Sequence, residues 1–287
     1  MNTTNQNAPV ITSLGLLTPY GLGLEAFLAG LSSGEPLPSP ALCPELDLKN
    51  FLPSEKTYLD RCSELALVAA ALALRGDTGE TPVPLTAGER VGLGLGTAYG
   101  CLDSMNANTQ RVQTKGARLA SPLLFMHSFV NAPASLIAIE WGLQGPGATF
   151  TDGGLSAASA LYWACDLLRR GEVDMMLVGG VEALGKSLVE GLGSVVGESG
   201  AQPWEAAAIF CVERAAFAAA RGAQVLAEVV AVRLGPADDE PPAATPYYAF
   251  GAQFALLVAA ALGAGGGSQV VAFQEGLRAA EVELSLA

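Results

Sequence analysis

Short apolar runs alternate along the chain with longer Ala- and Leu-rich stretches, and that alternation predicts an α/β fold. Residues 9–16 (PVITSLGL) predict a strand, 18–23 a turn and 24–31 a helix, followed by a Pro-rich irregular stretch over 34–52. Residues 60–75 (DRCSELALVAAALALR) are apolar on every face and predict a buried helix. A strand over 90–95 (RVGLGL) leads through a glycine turn at 96–100 into a polar-faced helix over 101–115. A turn at Ser121-Pro122 precedes a helix that begins near Asn131. Then come a short strand at 148–150, a tight turn at 151–154, a helix over 155–170, and a central strand over 173–178 (VDMMLV) that ends at Gly179-Gly180. Beyond it the pattern gives a strand in AAAIFCVE, a short helix at 215–220 and a strand at 225–232. A linker over 235–246 (GPADDEPPAATP), a helix at 250–262, a glycine run and closing strands at 269–273 and 281–286 complete the chain. The whole reads as a single domain over 1–287, with the linker inside its second part.

Composition narrows the picture. Hydrophobic residues make up 51% of the 287 and charged residues only 15%, which excludes disorder. So little charge covers a monomer's surface poorly, and a large buried subunit interface is expected. The net charge of −13 excludes a nucleic-acid-binding surface. The longest apolar stretches, 65–74 and 254–262, fall far short of the ~20 residues that span a bilayer, so no membrane insertion is expected. The start, MNTTNQNAPV, has no basic segment followed by an apolar one and does not read as a signal peptide. Five cysteines (Cys43, Cys62, Cys101, Cys165, Cys211) without CxxC spacing read as reduced thiols of a cytoplasmic protein. His127 is the only histidine, which argues against a His-ligated metal. Gly92, Gly94 and Gly96 lack the spacing of a dinucleotide fingerprint, and no cofactor is expected.

The candidate chemistry lies in residues 142–180, GLQGPGATFTDGGLSAASALYWACDLLRRGEVDMMLVGG. This is a strand, a sharp turn, a buried helix and a central strand. A residue at such a turn sits at a helix N-terminus, where backbone N–H groups and the dipole lower a thiol's pKa and stabilise an oxyanion. The segment resembles the β-ketoacyl synthases of the thiolase superfamily. In that family a Gly-Leu-x-Gly-Pro run leads to a Thr-Ala-Cys-x-Ser turn, an Ala-rich helix ending in Arg-Arg-Gly-Glu-x-Asp, and a strand into Gly-Gly. Gly142, Leu143, Gly145, Pro146, Arg169, Arg170, Gly171, Glu172, Asp174, Gly179 and Gly180 stand in that register without a gap. Thr18-Pro19, Gly21, residues 96–102, Ser121-Pro122, Asn131, Glu213, Ala219 and Arg221-Gly222-Ala223 extend the likeness over most of 9–232. The resemblance implies a thiolase-like layered αβαβα fold, with 1–185 as its N-terminal half and 186–287 as a shortened second half.

The departures from the family are as informative. Nine residues after Gly145, in register with the nucleophilic cysteine, stands Gly154, and the Thr-Ala before it is Asp152-Gly153. The family's His-Gly-Thr-Gly-Thr and Lys…Gly-His motifs have no counterpart, since no histidine follows His127. Without a thiolate or imidazoles the condensation cannot run. The resemblance therefore implies a chain-length factor, a non-catalytic subunit that pairs with an active ketosynthase and shapes its acyl tunnel. Shortened versions resemble those of aryl-polyene and related type II polyene pathways. Met105 falls where a pocket gate is expected, while Leu123, Leu124, Phe125, Met126 and His127 fall where the family reaches across the dimer. The partners implied are a catalytic ketosynthase subunit and an acyl carrier protein, the latter docking mainly on that subunit because this chain is so acidic.

Two other functions stay open on the sequence. Ser156, in Gly154-Leu-Ser-Ala-Ala158, faintly resembles a nucleophile elbow, and it or an intact oxyanion pocket would serve a thioester hydrolase or transferase, whereas residual decarboxylation would need only a carbanion-stabilising site. A self-paired, acyl-binding scaffold is the third. His127 reads as a structural or interface residue, and Cys101, Cys165 and Cys211 as core fillers. Arg111, Lys115 and Arg118 form the densest basic cluster, a carrier contact or simply a solvated face.

Overall fold

Strands apolar on both faces require a sheet covered on both sides, and the chain builds one. The computed structural model describes residues 5–75, 85–192, 201–237 and 245–287. The first elements are β1 (Pro9–Thr18), β2 (Gly21–Leu22), α1 (Gly23–Ser33), α2 (Arg61–Arg75), β3 (Val91–Gly96) and α3 (Leu102–Lys115). There follow α4 (Pro122–Met126), α5 (Ala132–Trp141), β4 (Gly147–Phe150), α6 (Ser156–Arg169), β5 (Met175–Glu182) and α7 (Lys186–Leu192). The last are β6 (Gln202–Pro203), β7 (Ala206–Arg214), α8 (Ala215–Ala220), β8 (Ala227–Pro236), β9 (Tyr247–Tyr248), α9 (Gln253–Leu262), β10 (Gly267–Glu275) and β11 (Arg278–Leu286).

One nine-stranded mixed sheet runs β10-β11-β8-β1-β7-β5-β3-β4, with β2 beside β1. β4, β3 and β5 are mutually parallel, and β7, β1, β8, β11 and β10 continue antiparallel. Alternate residues of the central strands enter different cores. Met176 and Val178 of β5 join Ile11, Phe210 and the buried face of α6, whereas Met175 and Leu177 join Ile209, Cys211 and α2. Helix α2 is buried along nearly its whole length, as its all-round apolar pattern predicts, and the Asp60 carboxylate caps it by accepting from the Cys62 N–H at 3.0 Å. All five cysteines are free and buried. Among the described residues no helix is long and apolar enough to cross a membrane.

The closing strands extend the first sheet. β8 pairs with β1 through Val10↔Glu228 and Ile11↔Ala227, and β11 and β10 add in turn. Val229, Val232, Val271, Val282 and Leu284 share one core with α6 and α9, so the sheet closes around these two helices. Ion pairs fix the far ends of the strands. Asp174 accepts from Arg90 Nε at 2.6 Å and from Arg214 Nε at 2.9 Å, which ties β3, β5 and β7 together and holds its carboxyl below the usual range. Arg169 donates to the carbonyls of Val229 and Val230, 3.0 Å each. The Arg-Arg-Gly-Glu-x-Asp run is thus a structural clamp at the end of the sheet away from α6's N-terminus.

Two expectations are corrected. The central strand does not end at Gly179-Gly180: β5 runs through both to Glu182, because these glycines let neighbouring backbone approach. A Cβ on Gly180 would lie 2.9 Å from the Cα of Ala252. Ser121-Pro122 is the start of a helix and not only a turn; Ser121 Oγ accepts from the Leu124 N–H at 3.3 Å and Pro122 takes the first position of α4. The expected linker at 235–246 begins inside β8, and most of the rest, 238–244, lies outside the described residues.

Candidate functional site

Four segments converge on the N-terminus of α6. The turn between β4 and α6 places Gly154 against the helix start, buried, with Gly153 at φ +57°. Gly96, the last residue of β3, lies flat on the first turn of α6, where a Cβ would come within 2.5 Å of the Ala157 nitrogen. The stretch after β3, Thr97 to Tyr99, meets the turn at Phe250-Gly251, where a Cβ on Gly251 would be 2.5 Å from the Ala98 nitrogen. Phe250 takes φ +44°, a left-handed conformation that costs a non-glycine residue of order 1 kcal/mol. Its ring is wedged edge-on between Tyr99 at 5.7 Å and Tyr248 at 4.6 Å.

A buried carboxyl joins the stretch after β3 to the turn at Phe250-Gly251. Glu182, at the end of β5, accepts from the N–H groups of Ala98 (2.6 Å), Tyr99 (3.1 Å) and Gly251 (3.0 Å) and from Thr97 Oγ1 (3.1 Å). Burial outweighs these four bonds and pushes its carboxyl up to about 7.

The tip of the β10–β11 hairpin closes the turn from outside. Glu275 accepts from the Gly154 N–H at 2.7 Å and from the Tyr248 hydroxyl, whose own ionisation burial and Glu275 push up. Arg278 forms an ion pair with Asp152, which also accepts from Ser159 Oγ at 2.8 Å. A Cβ on Gly154 would meet the Phe273 ring at 2.7 Å and the Tyr248 hydroxyl oxygen at 3.1 Å.

Ser156 is fully buried at the first residue of α6. Its hydroxyl lies 2.6 Å from the Gly153 carbonyl and 3.2 Å from that of Thr97, and accepts from the Asp152 N–H at 2.7 Å. Its hydroxyl is fully engaged by the backbone of the turn and of the stretch after β3. Cys165 lies deep in α6, where burial pushes its thiol up to about 12, as it does that of Cys211. Burial also raises Cys43, and Cys62 is raised beside Cys101.

The other predicted residues gather on a separate surface. Phe125 and Met126 of α4 are 53% and 61% exposed, Leu123, Phe129, Val130 and Met105 of α3 are also exposed, and Leu124 is half-buried. Phe125 and Phe129 pack edge to face at 4.9 Å. His127 turns inward, 8% exposed, its ring edge-on to Tyr58 at 5.2 Å and its Nδ1 without a hydrogen-bond partner among the described residues. Arg111, in the basic cluster, donates to the Leu119 carbonyl at 2.6 Å and so braces the segment between α3 and α4. Among the described residues β4 stands at one edge of the sheet. A cavity of about 250 Å³ between α5 and that strand is lined by Leu93, Asn131, Ala134, Leu143 and Thr149; Met105 does not line it.

The sequence reading centred on Gly154 and α4 and missed Glu182, Tyr248, Phe273, Glu275 and Arg278. A signal existed for Glu182, the lone charge at the end of an otherwise uncharged eight-residue strand. For the hairpin residues none did, because they meet Gly154 only in the folded chain.

Known proteins resemble this chain in sequence and in fold. Chloroplastic 3-oxoacyl-[acyl-carrier-protein] synthase I of Arabidopsis thaliana is 28% identical over 258 residues, covering 76% of this chain and 54% of that protein. The tetracenomycin polyketide synthase ketoacyl synthase alpha subunit of Streptomyces glaucescens is 28% identical over 195 residues, 61% of this chain and 45% of that one. The chain thus spans about half the length of the curated relatives it matches. Two solved structures share its fold. A chain from a complex of a type II polyketide acyl-carrier protein with its ketosynthase aligns with a TM-score of 0.83 at 15% identity, covering 98% of this chain and 99% of that one. The ishigamide ketosynthase/chain length factor aligns at 0.80 with 22% identity, covering 97% and 99%. The fold is accordingly the mixed α/β, thiolase-like architecture of ketosynthases, as the motif register implied. Residues 43–196, more than half of the chain and including α6 with its N-terminal turn, match the β-ketoacyl synthase N-terminal domain, and the chain belongs to the β-ketoacyl synthase family.

Proposed function

We propose that this chain is a non-catalytic, chain-length-factor-like subunit that pairs with a catalytically complete ketosynthase, forms part of its acyl tunnel and helps set product length in fatty-acid or polyketide biosynthesis. The observation that carries this reading is the turn before α6. The position that should bear a nucleophile is Gly154, which has no side chain, and the five cysteines are all buried elsewhere. The single imidazole, His127, packs on Tyr58 beside α4, away from that turn. A hydroxyl nucleophile at Ser156 is disfavoured by its burial and by the three backbone partners that surround it.

The surface supports pairing. The exposed side chains of Leu123, Phe125, Met126 and Phe129 lie on and just after α4, an apolar surface that is an aggregation liability unless a partner covers it. Met105 is exposed on α3, the helix that packs against α4, and is a flexible apolar side chain suited to the wall of an acyl tunnel. With a net charge of −13 the acidic carrier protein docks mainly on the ketosynthase partner. The aryl-polyene and related polyene pathways are the expected setting.

Native mass spectrometry of the chain produced alone and together with the ketosynthase encoded nearest to it tests the reading. A 1:1 heterodimer is the expected result. A stable homodimer that ignores the ketosynthase overturns it in favour of a self-paired scaffold.

A further inference from the structure

The amide of Gly154 sits at the positive end of a 14-residue helix, where an anion is favoured. In this chain the anion is internal. Glu275 places a carboxylate oxygen 2.7 Å from the Gly154 nitrogen, and the Tyr248 hydroxyl holds the other oxygen of that carboxylate. The space a side chain at 154 would take is filled by the Phe273 ring and the Tyr248 hydroxyl. The hairpin that delivers these groups turns through two residues, Gly276 at φ +58° and Leu277, with Glu275 and Arg278 paired across it. Glu275 thus grips the turn at Gly154 while Arg278 grips it at Asp152.

The geometry points to the β10–β11 hairpin tip as a plug: Glu275 occupies the amide that would receive an acyl or carboxyl oxygen, and Phe273 and Tyr248 fill the nucleophile's space, so this subunit closes its own reacting position against acyl groups. The inference rests on the non-catalytic reading and deepens it. It adds that losing the nucleophile and sealing the site are separate devices. Restoring a cysteine at 154 therefore does not by itself restore acyl transfer.

Hydrogen exchange at the Gly154 amide, followed in the intact chain by NMR or by mass spectrometry of peptides spanning the turn, tests the plug. The amide is expected to be strongly protected. Glu275→Ala removes its acceptor and should speed exchange by about tenfold or more, while Glu275→Gln, which keeps an acceptor oxygen, should preserve most of the protection. Millimolar acetate should slow exchange again in Glu275→Ala, by filling the vacated carboxylate position, and leave the unaltered chain unchanged. Should Glu275→Ala fail to fold, Arg278→Ala releases only the exposed end of the clamp and should accelerate exchange in a folded protein. An unprotected Gly154 amide in the unaltered chain, or no acceleration in either alanine variant, overturns the plug. Either result leaves the pairing measurement untouched, so the two readings fail separately.

Discussion

Glu182 is fully buried, accepts four hydrogen bonds and faces no cation within the contacts that set its ionisation. Its folded pKa of about 7 stands above the ordinary 4.5, so between these values the native state binds a proton that the unfolded chain has released. Stability contributed by the neutral form is complete below the ordinary value and is lost as pH rises through 7. A shift of that size corresponds to at most about 3 kcal/mol. Urea unfolding should therefore show the unaltered chain losing stability between mildly acidic and neutral pH, with the decline flattened in Glu182→Gln, which cannot ionise. Cys62 and Tyr99, its titratable neighbours, are both pushed up and stay neutral across the range. Parallel pH profiles for the two proteins would remove Glu182 as the cause. The same residue shows where sequence reading stops at this scale. Gly154 is singled out by an ungapped motif that fixes its register. Glu182 meets Gly251 across 69 positions and Glu275 meets Gly154 across 121, and nothing local encodes such contacts.

At the scale of elements, legibility followed the strength of the local signal. The buried helix α2 and strands β1, β3, β4 and β7 were evident because apolar runs bounded by glycine, proline or charge leave few alternatives. Helix α4 was read as a turn although Ser121 and Pro122 are a start signal, because only five residues follow before His127 caps it. The glycine pair in β5 was read as a terminator, although glycines there are spacers between packed backbones. That argument has a measurable form at Gly15 in β1, where α2 crosses. A Cβ there would run into the Ala69 carbonyl oxygen and lie 2.6 Å from the Ala73 nitrogen, both backbone atoms that no rotamer change can clear. Gly15→Ala should force strand and helix apart and cost about 3 kcal/mol. Gly235→Ala in β8, where among the described residues no atom beyond its chain neighbours lies within 4 Å of the added methyl, is the matched control and should leave the urea midpoint nearly unchanged. Similar losses in both variants would mean that intrinsic strand preference, and not the close approach of α2, sets the cost.

For the whole molecule, the low charge content leads to one surface. Charged residues make up 15% of the chain, yet the core does not absorb all the apolar side chains: Phe125, Met126, Phe129 and Val130 remain exposed around α4. The composition predicts an interface, and the fold leaves these apolar residues in solvent on and just after α4. An interface patch and a packing defect differ in what a charge does to them. The Phe125 ring meets Phe129 edge to face at 4.9 Å and is otherwise half in solvent, so Phe125→Asp removes little from the isolated fold and should shift its stability by no more than about 0.5 kcal/mol. Buried in a subunit interface, the same carboxylate would lose its water without gaining a partner, which costs several kcal/mol. Pairing with the ketosynthase, followed by titration against the purified partner, should therefore weaken by roughly a hundredfold or more while the melting curve of the lone chain stays in place. If binding survives Phe125→Asp undiminished, α4 lies outside the interface and the partner must approach over another face. If the lone chain unfolds instead, Phe125 belongs to the core despite its exposure, and the apolar surface around α4 is packing that the isolated subunit needs for itself.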